Sequence, residues 1–264
     1  MPELPEVETF VRGLQPVVGA KIRRAEILDQ RLGLDGRALE GSRIERVARR
    51  GKHIVIQLED GSALVVHLRM SGRLRRHRSE DEARYTRFAL QLDNGETIFF
   101  VNPRRLGTAI HCLDGFEADI GIEPLSRDFT RRALIDLSRK SRSPIKLFLL
   151  DQRKIAGVGN IYASESLWRS GIDPQRPANA LTEEELERLH KAIVSVLNDA
   201  IEGQGTSLGK SVSDYRPSAE SQGEFQNHLS VYGRESEPCE QCGHEIVRLK
   251  QGGRSTYYCR NCQN

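Results

Sequence analysis

Two groups of residues in this sequence have types and spacings that can do chemistry. The first is the opening Met1-Pro2-Glu3-Leu4-Pro5-Glu6. A methionine followed by a residue as small as proline is expected to be removed, which exposes a secondary amine. An α-amine titrates at about 7.7–8.0, against about 10.4 for a lysine side chain. Near neutral pH a fraction is therefore unprotonated and nucleophilic. Condensed with an aldehyde, a secondary amine gives an iminium, which is always charged and draws electrons. Glu3 and Glu6 lie one helical turn apart and can share a face toward that amine. Carboxylates placed there can move protons and position a hydroxyl. The same residues also fit a proline-initiated helix with acids in its first turn, and this stretch alone does not choose between the two.

The second group is Cys239-x2-Cys242-x16-Cys259-x2-Cys262, four of the five cysteines of the chain. Each CxxC puts two thiolates on one tight turn, and two such turns complete a tetrahedron. One zinc ion with four protein ligands has no open position, so it is expected to fold the module and not to do chemistry. Disulfides are the alternative, which a cytoplasmic setting disfavours. Cys112 stands apart and reads as a buried, inert thiol.

A weaker signal is Ala156-Gly157-Val158-Gly159-Asn160. The glycines allow a tight turn and a close approach to a ligand, and Asn160 sits where a helix begins, a favourable place for an anion. A plain connector fits equally, although Lys146 and Lys154 nearby favour phosphate. No GxxxxGK[ST] is present, so this is not a nucleotide P-loop.

These groups must be held by a scaffold. Residues 3–19 read as a helix closed by Gly19. Residues 21–113 read as mostly β, with strands at 54–58, 63–66 and 88–92 and turns at Asp60-Gly61 and Asn94-Gly95. A β-sandwich or barrel-like domain to about residue 115 follows, then a linker over 116–125. Helices are expected over 128–139, from Pro144 at a first helical position, and over 160–170. A fourth opens at the capping box Thr182-x-x-Glu185, with Leu186, Leu189, Ile193, Val196, Leu197 and Ala200 on one face. Residues 204–223 read as a long loop.

The chain has 264 residues, 38% hydrophobic and 29% charged, with a formal net charge of +3. This is ordinary for a globular protein. No apolar run approaches the roughly 18 residues that span a bilayer, and the acidic N-terminus is unlike a signal peptide. A cytoplasmic protein is expected. Basic residues run together over 69–78, 127–154 and 248–260, and acids gather at Glu183, Glu184, Glu185 and Glu187. One basic and one acidic face would suit a phosphate backbone.

Several motifs then coincide. Pro2-Glu3-Leu4-Pro5-Glu6-Val7-Glu8 resembles the start of formamidopyrimidine-DNA glycosylases. So do Lys146-x2-Leu149-Leu150-Asp151-Gln152 running into Ala156-Gly157-Val158-Gly159-Asn160-Ile161-Tyr162, then Val231-Tyr232-Gly233-Arg234, the four-cysteine module, Gly253-Arg254-Ser255-Thr256 within it, and the closing Cys262-Gln263. The resemblance spans residues 2–263 in order.

It implies an α+β fold in three parts. These are an N-terminal β-sandwich with its N-terminal helix (1–115), a helix–two-turn–helix domain with a lesion-capping loop (126–223), and a zinc finger on a β-hairpin (224–264). DNA would lie in the cleft between the halves, with the damaged nucleotide extruded. The resemblance makes Pro2 the nucleophile at C1′, Glu3 the general acid/base that opens the sugar, and Glu6 a supporting carboxylate. Lys52, which by itself reads as a surface lysine, becomes proton donor for β-elimination and a phosphate contact. Arg254 grips the lesion phosphate and assists δ-elimination. His67, Asn160 and Tyr232 contact other phosphates. Met70 fills the gap left by the flipped base, and Arg104 reads the orphaned cytosine. Residues 205–223 match the loop over the flipped base.

Three positions depart from the family pattern. Leu106 stands where a phenylalanine wedge is usual, Tyr85-Thr86-Arg87 replaces His-x-His, and Asn102 replaces an aspartate. Tyr85 can still reach a phosphate, and leucine can still wedge.

The implied activity is a bifunctional glycosylase/lyase in base excision repair. It would excise 8-oxoguanine opposite cytosine and formamidopyrimidines, with β,δ-elimination at the abasic site. It would act as a monomer on double-stranded DNA carrying oxidised bases or abasic sites, associated with the nucleoid through that DNA, with one structural zinc. Two alternatives stay open: an endonuclease VIII-type enzyme for oxidised pyrimidines, which usually has glycine where Leu4 stands, and a non-catalytic zinc-ribbon DNA-binding protein.

Overall fold

The apolar alternation between residues 22 and 112 resolves into eight strands. The computed structural model describes residues 1–116, 119–207 and 223–264. They fall into two units, Met1–Ala118 with Ile201–Gln226, and Asp119–Ala200 with Asn227–Asn264.

The first unit opens with helix α1 (Leu4–Gly13). The strands are β1 (Ile22–Ile27), β2 (Ile44–Arg50), β3 (His53–Leu58), β4 (Ala63–His67), β5 (Arg73–Arg75), β6 (Thr86–Leu92), β7 (Thr97–Val101) and β8 (Thr108–Cys112), with a short helix α2 (Glu80–Ala83) before β6. They form two four-stranded sheets, ordered β1-β6-β7-β5 and β2-β3-β4-β8, with all pairs antiparallel. One core joins both sheets and α1, running from Val7 and Phe10 through Ile54, Ile56 and Leu64 to Phe88, Leu90 and Phe100. The Asp-Gly and Asn-Gly turns fall where expected, with Gly61 and Gly95 left-handed at φ 85° and 86°, the conformation those turns require.

The second unit holds α3 (Arg131–Arg139), α4 (Ile145–Leu150), α5 (Asn160–Ser170), α6 (Glu183–Glu202) and the hairpin β9 (Ile246–Gln251) and β10 (Arg254–Cys259). The expected capping box opens α6: Thr182 N–H donates to Glu185 at 2.8 Å, and Glu185 N–H to Thr182 Oγ1 at 3.2 Å. Together these parts are an α+β architecture.

Several expectations are corrected. The first helix stops at Gly13, short of Gly19, and a 3₁₀ turn follows over Gln15–Val17. Pro16 has no N–H and disfavours the α conformation at Gln15, so the helix cannot run through it. Pro144 is the N-cap of α4, not its first helical residue. Much of the expected linker is ordered: Gly121 N–H donates to Gln152 O at 2.8 Å and Ile122 bridges to Ile155. Cys112 is half-buried, at the end of an edge strand.

The separate basic and acidic faces do not survive. Arg73 and Arg75 of the first run are buried and both bond Glu82, on the face of β5 opposite Leu74, which packs into the core. The second run meets the acidic cluster directly, as Arg131 pairs with Glu187 and Arg139 with Glu183.

Candidate active site and zinc centre

Glu3 is the N-cap of α1, extended at φ −104°. Its backbone N–H donates to Glu6 Oε2 at 2.7 Å, and Glu6 Oε1 accepts the backbone N–H of Thr206 at 2.8 Å. The Glu6 carboxylate thus caps the helix and ties down residue 206, and both carboxylates are almost fully buried, Glu3 at 3% exposure and Glu6 at 2%. Pro2 is buried beside them in the chain while Met1 is exposed. Lys52 lies in the β2–β3 turn, where Gly51 is left-handed at φ 57°. It is only 7% exposed, so reading it as a surface lysine is wrong. A lysine seldom gives up that much hydration without a partner or a task.

His67 ends β4. Its Nδ1 accepts the N–H of Arg69 at 3.0 Å, and its ring sits edge-on to His53 at 4.8 Å. Burial first, then the charges of His53, Arg69 and Lys52, push its pKa down to about 3. With Nδ1 accepting, the proton of this neutral ring is placed on Nε2, leaving a donor for an anionic oxygen.

Two loops of the first unit are brought together. Arg104 N–H donates to Ser71 Oγ at 3.3 Å, and Arg104 Nη1 lies 3.6 Å from Met70 Sδ. Met70 and Leu106 are exposed large apolar residues, at 45% and 52%. Arg69 and Arg105, the neighbours of these two exposed residues, have φ of 54° and 53°. Non-glycine residues reach this region at a cost, and such strain gathers at functional loops. Tyr85 O accepts the N–H of Asn102 at 2.8 Å, which places Tyr85 behind the same loop.

In the second unit Gln152 clips the glycine turn. Its Oε1 accepts from Gly157 N–H at 2.9 Å and its Nε2 donates to Val158 O at 2.8 Å. Asn160 begins α5, and its Nδ2 donates to Ser255 O at 2.9 Å. Lys146 is fully buried. Its ammonium donates to Asn160 Oδ1 at 2.7 Å, Ser255 O at 2.9 Å and Thr256 Oγ1 at 2.7 Å. The expectation that Lys146 marks a phosphate site is corrected: it locks the glycine turn to the hairpin that carries Arg254. Lys154 is likewise paired, with Asp151 at 3.1 Å. Arg254 itself is exposed, next to the β9–β10 turn where its backbone pairs with Gln251, and its side chain makes no hydrogen bond or ion pair among the described residues. Tyr232 is held by Glu165, whose buried carboxylate accepts three backbone N–H groups, from Ser230, Val231 and Tyr232 at 2.9, 3.1 and 2.8 Å.

The four sulfurs of Cys239, Cys242, Cys259 and Cys262 lie within 4.8 Å of one another. Cys239 and Cys262 Sγ are 3.9 Å apart, and Cys242 and Cys259 Sγ 3.4 Å. Zinc–sulfur bonds of about 2.3 Å in a tetrahedron need nearly that spacing. Trp168 packs on the cluster, and its buried Nε1–H has no hydrogen-bond partner among the described residues, a donor that suits anionic sulfur. The residues fit the ion.

Family profiles match along the chain. The formamidopyrimidine-DNA glycosylase N-terminal domain covers residues 1–109, the formamidopyrimidine-DNA glycosylase H2TH domain 120–211, and the zinc finger found in FPG and IleRS 236–264. A formamidopyrimidine-DNA glycosylase of Chloroflexus aurantiacus is 43% identical over 276 residues, covering 100% of this chain and 98% of that protein. The chain belongs to the formamidopyrimidine-DNA glycosylase family. The solved MutM (Fpg) protein of Thermus thermophilus is 42% identical with a TM-score of 0.90, covering 99% of this chain and 98% of that one. The Lactococcus lactis Fpg in complex with DNA containing an abasic site is 33% identical with a TM-score of 0.85, covering 99% of each chain.

As a formamidopyrimidine-DNA glycosylase family member the chain is a DNA repair enzyme, and its four cysteines hold a structural zinc. The loop expected to cover a flipped base falls largely on residues 208–222, outside the described residues. No described helix is long and apolar enough to cross a membrane. Sequence reasoning missed the locking role of Lys146, the clasp of Glu165 and the closing Gln263, whose buried amide joins Cys259 N–H to Ile172 O. Lys146 and Gln263 stood within quoted motifs, but nothing in their spacing announced a partner.

Proposed function

We propose that the chain excises oxidised purines, 8-oxoguanine opposite cytosine and formamidopyrimidines, from double-stranded DNA and then cleaves the abasic site. What chiefly supports this is burial: Glu3, Glu6 and Lys52 are at 3%, 2% and 7% exposure, while an ordinary helix start leaves its acids in water.

With Met1 removed, the unprotonated Pro2 nitrogen attacks C1′, the base leaves with the electron pair of the glycosidic bond, and the proton lost from the Pro2 nitrogen goes to the departing base. Glu3 gives its proton to the ring oxygen as the sugar opens, leaving an iminium between Pro2 and C1′. Loss of a C2′ proton into that electron sink expels the 3′ phosphate, and a second elimination expels the 5′ phosphate, leaving a one-nucleotide gap with phosphate ends. Lys52 supplies a proton during β-elimination and holds a phosphate. His67, Asn160, Tyr232 and Tyr85 hold further phosphates as hydrogen-bond donors, and Arg254 grips the lesion phosphate, where a guanidinium on a rigid hairpin can bind bidentately. Met70 and Leu106 enter the gap, and Arg104 reads the orphaned base. We take the functional parts as residues 1–115, 126–223 and 224–264, acting as a monomer and gathered on the nucleoid by DNA.

The test is to mix the protein with duplexes carrying 8-oxoguanine or an oxidised pyrimidine and add borohydride. A covalent adduct with the purine lesion is expected. An adduct on pyrimidine lesions alone would place the chain with the endonuclease VIII-type enzymes. No adduct on either would leave a DNA-binding protein without this chemistry.

A further inference from the structure

Behind the Arg104–Leu106 loop lies a cavity of about 270 Å³ whose lining includes Asp29, Arg31, Arg87, Asn102, Arg105 and Leu106. Its charge balance is unusual. Arg31 takes the Asp29 carboxylate from both ends, Nε to Oδ1 at 3.0 Å and Nη2 to Oδ2 at 2.9 Å. Arg105 and Arg87 reach the same carboxylate only at 3.6 and 4.0 Å. Three guanidinium groups therefore share one carboxylate. Arg87 is 6% exposed. Its Nε donates to Asn102 O at 3.0 Å, and its two Nη atoms have no hydrogen-bond partner among the described residues, although they are not sealed from the cavity. Burial, and next the charge of Arg105, depress the Arg87 pKa, as they do for a buried cation that lacks its anion. A buried charge is costly until it is paired. Asn102, in place of an acid, leaves that charge standing.

We propose that this cavity is a binding site for a phosphate group, with Arg87 as its floor and Arg31 and Arg105 at its mouth. Guanidinium forks match phosphate oxygens in pairs. The phosphate has two sources, a phosphodiester of DNA or free phosphate. For the first, the inference rests on the proposed action on DNA: a phosphodiester held here would set the register of the loop that carries Arg104 and Leu106.

Two measurements test it, on the whole protein and on Arg87→Gln and Arg31→Gln. Arg31 is 61% exposed in its side chain, so its removal does not threaten the core. The first is affinity for undamaged duplex against salt concentration. The second is thermal melting in inorganic phosphate against chloride at matched ionic strength. If DNA supplies the phosphate, the slope of log affinity against log salt falls in both variants by about 0.9. If free phosphate is the ligand, the slopes agree, but phosphate raises the melting temperature of the unaltered protein and of neither variant. Unchanged slopes together with no phosphate-specific stabilisation would overturn the site. That result would leave the glycosylase reading standing, because borohydride trapping depends on Pro2 and not on this cavity.

Discussion

Glu6 and Thr206, two hundred residues apart in the chain, are joined by a buried hydrogen bond of 2.8 Å. The other oxygen of the same carboxylate holds the N–H of Glu3. One side chain thus fixes both the backbone beside Pro2 and the entrance to the segment assigned to lesion capping. Glu6→Gln keeps the shape but turns an NH₂ group toward one of the two donors. A buried donor left unmet costs about 1–3 kcal/mol, so a drop in stability of that order is expected. Excision of 8-oxoguanine should fall about tenfold or more, with cleavage of a preformed abasic site falling less. Equal losses in the two assays would separate Glu6 from capping. Gly205→Ala should act the same way without removing charge, since Gly205 has φ 80° and an added Cβ would lie 2.8 Å from Glu6 Oε1.

The Lys146 ammonium links α4, the start of α5 and the strand that carries Arg254. Lys146→Met removes the donor from three acceptors and is expected to destabilise the protein by about 3 kcal/mol. It should also weaken binding to abasic-site DNA. Removing zinc with a chelator should weaken DNA binding as well, by releasing the hairpin from its other end. Unchanged affinity after either treatment, with the protein still folded, would contradict the view that Arg254 needs a rigid platform.

His67 predicts an acid-sensitive stability. Its folded pKa is about 3, against about 6.5 for an unfolded chain. Between those values the unfolded chain binds the proton and the folded one does not. Stability should therefore fall as pH drops from about 6.5 toward 3, by at most about 1.4 kcal/mol per pH unit from this group. His67→Gln should flatten that limb of a melting temperature profile. An unchanged profile would show that His67 is not held neutral.

Leu106 stands exposed at the position where the resemblance leads one to expect a phenylalanine wedge. Leu106→Phe should alter discrimination between damaged and undamaged duplex several-fold while leaving cleavage of a preformed abasic site nearly unchanged. Equal effects on the two assays would refute the wedge role.

Local patterns were readable in the sequence because their causes are local. The Asp-Gly and Asn-Gly turns, the Thr182–Glu185 box and the paired CxxC turns each carry their geometry within a few residues. The end of α1 has a local cause as well, because Pro16 stops the helix before Gly19. Pairings between distant segments left no local mark. Arg73 and Arg75 read as part of a basic face until β5 is seen to pair with β7 and bring them to Glu82. Lys52 reads as a surface cation, and Lys146 as a pointer to phosphate, until the fold buries them. The cluster of Asp29, Arg31, Arg87 and Arg105 draws on three separate loops and strands, so no window of sequence contains it. The roles of Pro2 and Arg254 came from resemblance, since their residue types alone fit plainer purposes.

The most direct measurement of the central claim is the position of the borohydride-trapped adduct. The protein is reacted with a duplex carrying 8-oxoguanine, reduced, digested with a protease and mapped by mass spectrometry. The mass of the deoxyribose remnant should fall on the peptide that begins at Pro2, with Met1 absent, and Pro2→Gly should shift or abolish it. An adduct on Lys52 or another lysine, or an N-terminus that keeps Met1 in fully active protein, would contradict the account.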